Sequence, residues 1–199
     1  MCRCCCCVQI DEIYNIPAVG TVAGGTIIRG TIKEGDQLMI GPSDDGRFCS
    51  VTVATIHRNR LPVRLATVGQ TACVSFTAEP DTAVRRGMVL VSPALKPAAC
   101  LEFEADVYLL FHNGYLCEGF QTVIHVGNVR QTALIVKMSR SSLHTNEKAV
   151  VTFRFKNKPE YIRNGARLLF REGKTKGMGE VTRTLPYGQP SQVEEGAHR

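Results

Sequence analysis

Gly173-Lys174-Thr175 matches the last three residues of the G-x-x-x-x-G-K-[ST] loop, in which backbone amides and a lysine cradle nucleotide phosphates. The position five before Gly173 is Leu168, and the strand-like run Leu168-Leu169-Phe170-Arg171 leads into a turn, not a helix N-terminus. A phosphate would meet neither the glycine wrap nor a helix dipole there. Asn157-Lys158-Pro159-Glu160 has the outline of a guanine-reading N-K-x-D, but it ends in Glu and precedes the would-be phosphate loop. No D-x-x-G occurs either. Hydrolysis of a nucleotide by this chain is not expected. His57, His112, His125 and His144 fall in separate segments without the i, i+4 spacing of a helical metal site. Ser75, Ser139, Ser141 and Ser142 lack a G-x-S-x-G elbow. The residues therefore point to no catalytic group, no metal ligand set and no bound cofactor.

Cysteine is concentrated at Cys2, Cys4, Cys5, Cys6 and Cys7, with Cys49, Cys73, Cys100 and Cys117 scattered singly. Adjacent cysteines point apart, and no second pair elsewhere completes a four-ligand zinc site. Residues 1–7 are expected to be disordered, with lipid attachment as the lesser reading. The scattered four read as small buried hydrophobes of a reducing compartment.

Strands must position whatever this chain binds. Leu101, Phe103, Ala105, Val107 and Leu109 alternate with polar neighbours, as do Val151, Phe153 and Phe155, and Phe48, Val51, Val53 and Ile56 sit in a β-branched run. A period of two builds half-buried antiparallel strands. Turn signals at Gly24-Gly25, Glu34-Gly35, Pro42 to Gly46, Asn113-Gly114, Asn164-Gly165 and Glu172-Gly173 punctuate the runs, and the strand candidates number about twelve, more than one open sheet of this size holds well. Closed barrels leave no exposed edges. Pro93 and Pro97 mark a stiff connection. The expectation is an all-β protein of two consecutive antiparallel β-barrels: 8–92, a linker 93–98, a second barrel 99–186, and a disordered tail 187–199. No run of 18 apolar residues occurs that could form a membrane-spanning helix.

Charge is uneven. Residues 1–95 carry nine Lys and Arg against eight Asp and Glu, whereas residues 120–190 carry 13 against four, a net of +9. Such a half suits a polyanionic partner or a solvated cationic face.

Long blocks resemble a known family. Ile10-Asp11-Glu12-Ile13-Tyr14-Asn15-Ile16-Pro17, Val19 to Gly25, Gly30 to Asp36, and Arg86-Gly87-Met88-Val89-Leu90 resemble the second domain of elongation-factor-Tu-like translational GTPases. Leu101 to Tyr108, Gly165 to Thr175 and Gly177 to Val181 are similar to the third. Val126 to Ala133, Phe153-Arg154-Phe155 and Lys158-Pro159-Glu160-Tyr161 resemble the branch of GTP-binding proteins 1 and 2. The resemblance implies two barrels that engage tRNA and the ribosome in cytoplasmic translation elongation or ribosome rescue. It also implies a separate GTP-binding domain that holds GTP and magnesium and would be a further partner. Carried over by position, His57 and Arg58 would border the aminoacyl-end pocket, although Thr55 stands where elongation factor Tu has Glu. Arg171, Glu172, Gly173, Lys174 and Thr175 would face the T stem, with Arg167, Lys176 and Arg183 as further phosphate contacts. The alternative is an adaptor without GTPase activity, or a competing short isoform, whose barrels bind proteins.

Overall fold

The computed structural model describes residues 5–188. Nine strands precede the prolines: β1 (Cys7–Ile16), β2 (Gly20–Arg29), β3 (Thr31–Lys33), β4 (Gln37–Gly41), β5 (Cys49–Arg58), β6 (Leu61–Val63), β7 (Leu65–Thr67), β8 (Thr71–Phe76) and β9 (Val89–Val91). Eight follow: β10 (Cys100–Phe111), β11 (Tyr115–Leu116), β12 (Gln121–Val126), β13 (Val129–Met138), β14 (Leu143–His144), β15 (Lys148–Phe155), β16 (Arg167–Glu172) and β17 (Thr175–Pro186). Among the described residues the helical content is a single 3-10 turn, Pro93–Leu95, between the two groups. The protein is all-β.

The first group runs β4-β9-β1-β2-β8-β5, and β5 pairs again with β4, which closes the ring. The second is a closed barrel, β10-β15-β13-β12-β16-β17. The two rings use twelve strands, matching the number of strand candidates in the sequence. The five short strands are appendages: β6 hangs from β5, while β3–β7 and β11–β14 form two-stranded ribbons.

Alternation explains each core. Phe103, Ala105, Val107 and Leu109 of β10 point inward and are buried, as are Val151, Phe153 and Phe155 of β15. Phe103 stacks on Phe153 at 5.6 Å between ring centroids, so aromatic rings supply the volume that tryptophan would otherwise fill. Gly177 is enforced by this core: a β-carbon there would overlap the Phe170 ring, which is buried and cannot withdraw.

Two expectations are corrected. Gly24-Gly25 is not a turn but the middle of β2, where β1 bulges between Ile10 and Glu12. Gly25 passes so close to the Gln9 carbonyl that no side chain fits, so missing β-carbons here serve strand approach, not chain reversal. Residues 5–7 are not a free tail, because Cys7 opens β1 and both Cys6 and Cys7 are buried. Burial pushes the Cys6 thiol up to about 12 and Cys7 to about 11, so neither is a reactive thiolate. Of the scattered cysteines, Cys100 is buried, Cys49 and Cys73 are half-buried, and Cys117 is exposed. The remainder of the expected disordered ends, residues 1–4 and 189–199, lies outside the described residues. Tyr187 itself is tied to Ala99 by a 2.7 Å backbone hydrogen bond.

Candidate nucleic-acid interface

Of the residues singled out on the first barrel, His57 and Arg58 end β5 and are exposed. His57 lies opposite Cys73 and Pro62, and Arg58 opposite Leu61. A two-residue turn joins β5 to β6, with Asn59 at φ 51° and Arg60 at φ 66°. Both central residues are thus left-handed, as the twist of a tight hairpin requires. Arg58, Arg60 and Arg64 are exposed, and no acidic residue occurs from Arg47 to Ala78. Thr55, which would border the pocket, has its hydroxyl 2.7 Å from that of Ser75.

On the second barrel the β16–β17 hairpin gathers most of the other candidates, and cross-strand register sorts them. Arg167 faces Glu180, and Arg183 on β17 faces Glu104 on β10. These two cations have acids as ladder neighbours. Arg171 instead lies opposite Lys176, with Glu172 paired to Thr175 at the strand end and Gly173 and Lys174 forming the connecting turn. Like charges directly opposite each other are unfavourable without a counter-charge. Among the described residues, neither Arg171, Lys174 nor Lys176 has an acidic partner within ion-pair distance. Gly173, at φ 55°, permits the tight reversal that brings the three cations together. Thr175 departs from the expectation. It is buried, and its hydroxyl lies 2.7 Å from His112 Nδ1, so it cannot reach a phosphate. The face between the rows is not uniformly cationic either. Tyr108, Met178, Leu169 and His125 form one row across β10, β17, β16 and β12, and Leu169 is 58 % exposed.

Sequence reasoning missed a cleft between the barrels of about 430 Å³. Asp11, Arg85 and Arg86 line it from the first barrel, and Asn128, Arg130 and Lys158 from the second. At its floor Glu160 is buried, and Arg85 Nη1 donates to both its carboxylate oxygens at 3.1 and 3.0 Å. Gln131 Nε2 donates to the same carboxylate at 3.1 Å. Burial raises the Glu160 pKa, while the charges of Arg85 and Lys158 pull it back. Lys158 is paired with Asp44 at 3.2 Å, whereas Arg86 and Arg130 are exposed without an acidic partner among the described residues. These residues stand in the sequence blocks that carry the resemblance. Their convergence depends on how two barrels dock, which no local spacing encodes.

Position makes the two nucleotide-motif matches coincidental. Gly173 and Lys174 occupy a β-hairpin turn, and Thr175 is committed to His112, so these residues do not fit a nucleotide and its magnesium. Nor does Asn157-Lys158-Pro159-Glu160 fit a guanine, since its last carboxylate is engaged by Arg85 and the Asn157 and Lys158 amides donate to Gln131 Oε1 at 2.9 Å.

The family model for elongation factor Tu domain 2 matches residues 20–91, most of the first ring. The first barrel is similar to elongation factor Tu domain 2. Over 175 residues, 87 % of this chain, the sequence is 51 % identical to GTP-binding protein 2 of Homo sapiens and Mus musculus. It is 46 % identical to GTP-binding protein 1 of Xenopus laevis over 89 % of the chain. An elongation factor 1-alpha from Cenarchaeum symbiosum is 29 % identical over 64 % of the chain and 28 % of its own length. The chain spans about three tenths of the length of these curated relatives, 29 % of GTP-binding protein 2 and 27 % of GTP-binding protein 1. The similarity to GTP-binding proteins 1 and 2 therefore runs through both barrels, beyond elongation factor Tu domain 2 itself.

Proposed function

We propose that this chain is the two-barrel portion of a translational GTPase that holds tRNA and the ribosome in cytoplasmic elongation or rescue of stalled ribosomes. GTP and magnesium belong, in this reading, to a GTP-binding domain of a full-length factor. The observation that carries it is the Arg171–Lys176 like-charge pair capped by Lys174, a cation cluster that gains a counter-charge when a phosphate backbone arrives. His57, Arg58, Arg167 and Arg183 would extend the contact, with Arg86 and Arg130 in the cleft. Such contacts give affinity without sequence preference, as a factor serving many tRNAs needs.

Binding of the chain to unfractionated tRNA across a salt series tests this. The logarithm of affinity should fall linearly with the logarithm of salt, by roughly 0.7–0.9 per phosphate neutralised. The triple variant Arg171→Glu, Lys174→Glu, Lys176→Glu should lose about tenfold or more in affinity and flatten the slope by two to three contacts. A salt-independent response, or an unchanged slope in the triple variant, would sink the RNA reading.

The row of Tyr108, Met178 and Leu169 favours a second reading, in which this face docks protein, including the GTP-binding domain of a full-length factor. At its centre Met178 and Leu169 are exposed and offer no stacking plane to a base, and burying them against another apolar surface is favourable. Leu169→Ser with Met178→Gln, which adds no charge beside the cation cluster, should leave tRNA affinity unchanged while preventing that domain from co-eluting with the barrels.

A further inference from the structure

We infer that Glu160 is a positioning residue which, through Arg85 and Gln131, holds the two barrels in one fixed relation, so that the cations of both act as a single surface. This rests on the RNA reading for its functional consequence, but not for its geometry.

Several restraints converge on one carboxylate. The Glu160 backbone is fixed to the second barrel by reciprocal hydrogen bonds with Cys100, at 2.8 and 2.9 Å. Its side chain meets Arg85, which belongs to the segment leading into β9 of the first barrel. Arg85 spans the seam, since Nη2 donates to Pro42 O at 3.2 Å on its own side and to Pro159 O at 3.3 Å on the other. Gln131 cannot turn away from Glu160 because its carbonyl oxygen already accepts from two backbone amides. A separate tie runs from Asn128 Nδ2 to Ile10 O at 2.7 Å, and Phe48 meets Tyr161 edge-on across the same seam. Glu160 is 5 % exposed and Arg85 17 %, so water competes little for the pair. Buried ion pairs of this kind contribute geometric specificity more reliably than net stability. A fixed relation matters because groups on two bodies reinforce each other on one polyanion only when they can engage together.

Charge alone predicts the opposite outcome, which makes the inference testable. Glu160 is an acid in a cleft with Arg86, Arg130 and Lys158, so removing it should tighten RNA binding if electrostatics were its only role. Glu160→Ala and Glu160→Gln remove the same charge, but only Gln keeps an acceptor for Arg85 and Gln131. The full chain and both variants would be measured for tRNA affinity and, by residual dipolar couplings, for the alignment tensor of each barrel. The expected result is coincident tensors for the native protein and Glu160→Gln, and divergent tensors for Glu160→Ala with each barrel's own couplings intact. Glu160→Ala should also bind tRNA at least fivefold more weakly than Glu160→Gln. Equal behaviour of the two variants, or coincident tensors in Glu160→Ala, overturns the inference. Should Glu160→Ala fail to fold, Arg85→Ala breaks the same link from the first barrel and is judged by the tensors alone, since it also removes a cation: coincident tensors overturn the inference. If the native protein binds no tRNA, the RNA reading falls, and the tensors alone decide the positioning role.

Discussion

At the scale of single residues, Thr175 and Lys174 are neighbours with opposite commitments. The Thr175 hydroxyl is buried against His112 Nδ1, and Lys174 stands free in the turn beside it. Thr175→Val keeps the shape and strand preference but leaves the imidazole nitrogen without its partner. Loss of this part-buried hydrogen bond costs about 0.5–1.5 kcal/mol, to be read from chemical denaturation, while tRNA affinity should stay unchanged. Lys174→Glu should do the reverse, leaving stability within about 0.5 kcal/mol and weakening tRNA binding. If Thr175→Val weakened RNA binding without a loss of stability, its hydroxyl would face the ligand after all. A motif alone gave Thr175 and Lys174 the same role, because spacing along a hairpin does not say which side chain turns inward. The period of two does say it: Phe170 and Thr175 both face the barrel interior, and Arg171 and Lys174 do not.

Among elements, the β5–β6 hairpin shows what sequence can and cannot disclose. Its strand β5 is visible from Val51 and Val53, buried in alternation, while Ile56 returns to the core through a register shift between Val53 and Ile56 that leaves Thr55 outside. Its turn is not, because Asn59-Arg60 lacks the glycine that ordinarily marks a left-handed pair. Arg60 sits there at a conformational cost of about 1–2 kcal/mol for a residue with a β-carbon. Arg60→Gly should relieve that strain against a loss of about 0.4–1 kcal/mol from the freer unfolded chain, a net gain of roughly 0.5 kcal/mol. Thermal unfolding checks it, and a clear drop in Tm would mean that the Arg60 side chain makes a stabilising contact. The same hairpin would then bind RNA less tightly, since one exposed cation has gone. Glycines mislead in the other direction at Gly24-Gly25, where a turn signal marks two strands pressed together. The ring strands were legible because burial repeats every second residue. The short ribbons β3–β7 and β11–β14 were not, being too brief to show a period.

The whole molecule depends on a seam that no stretch of sequence displays, and pH reaches it through Glu160. Burial raises the pKa of this carboxyl above its ordinary value near 4.5, with Arg85 and Lys158 opposing the rise and Asp44 adding to it. The remaining charges around the cleft are Asp11, Arg86 and Arg130. In the window above about pH 4.5 the folded protein holds a proton that the unfolded chain has released. Stability from this group is therefore greatest below the window and declines as pH rises through it. Glu160→Gln cannot titrate, so its stability lacks that decline, while the carboxylates held below their ordinary range, such as Asp45, Glu79 and Glu147, act alike in both proteins and cancel in the comparison. Urea unfolding of the two proteins from pH 4 to 7 should show the native chain losing ground to Glu160→Gln as pH increases. The opposite trend would mean that Arg85 compensates the buried charge fully, and the pair would then be a source of stability as well as of geometry. Either way an ionised carboxylate at this seam carries a desolvation cost that a well-packed apolar pair would avoid. Retaining it makes sense where the relation between two barrels matters more than the last increment of stability, as it would for a surface assembled from both.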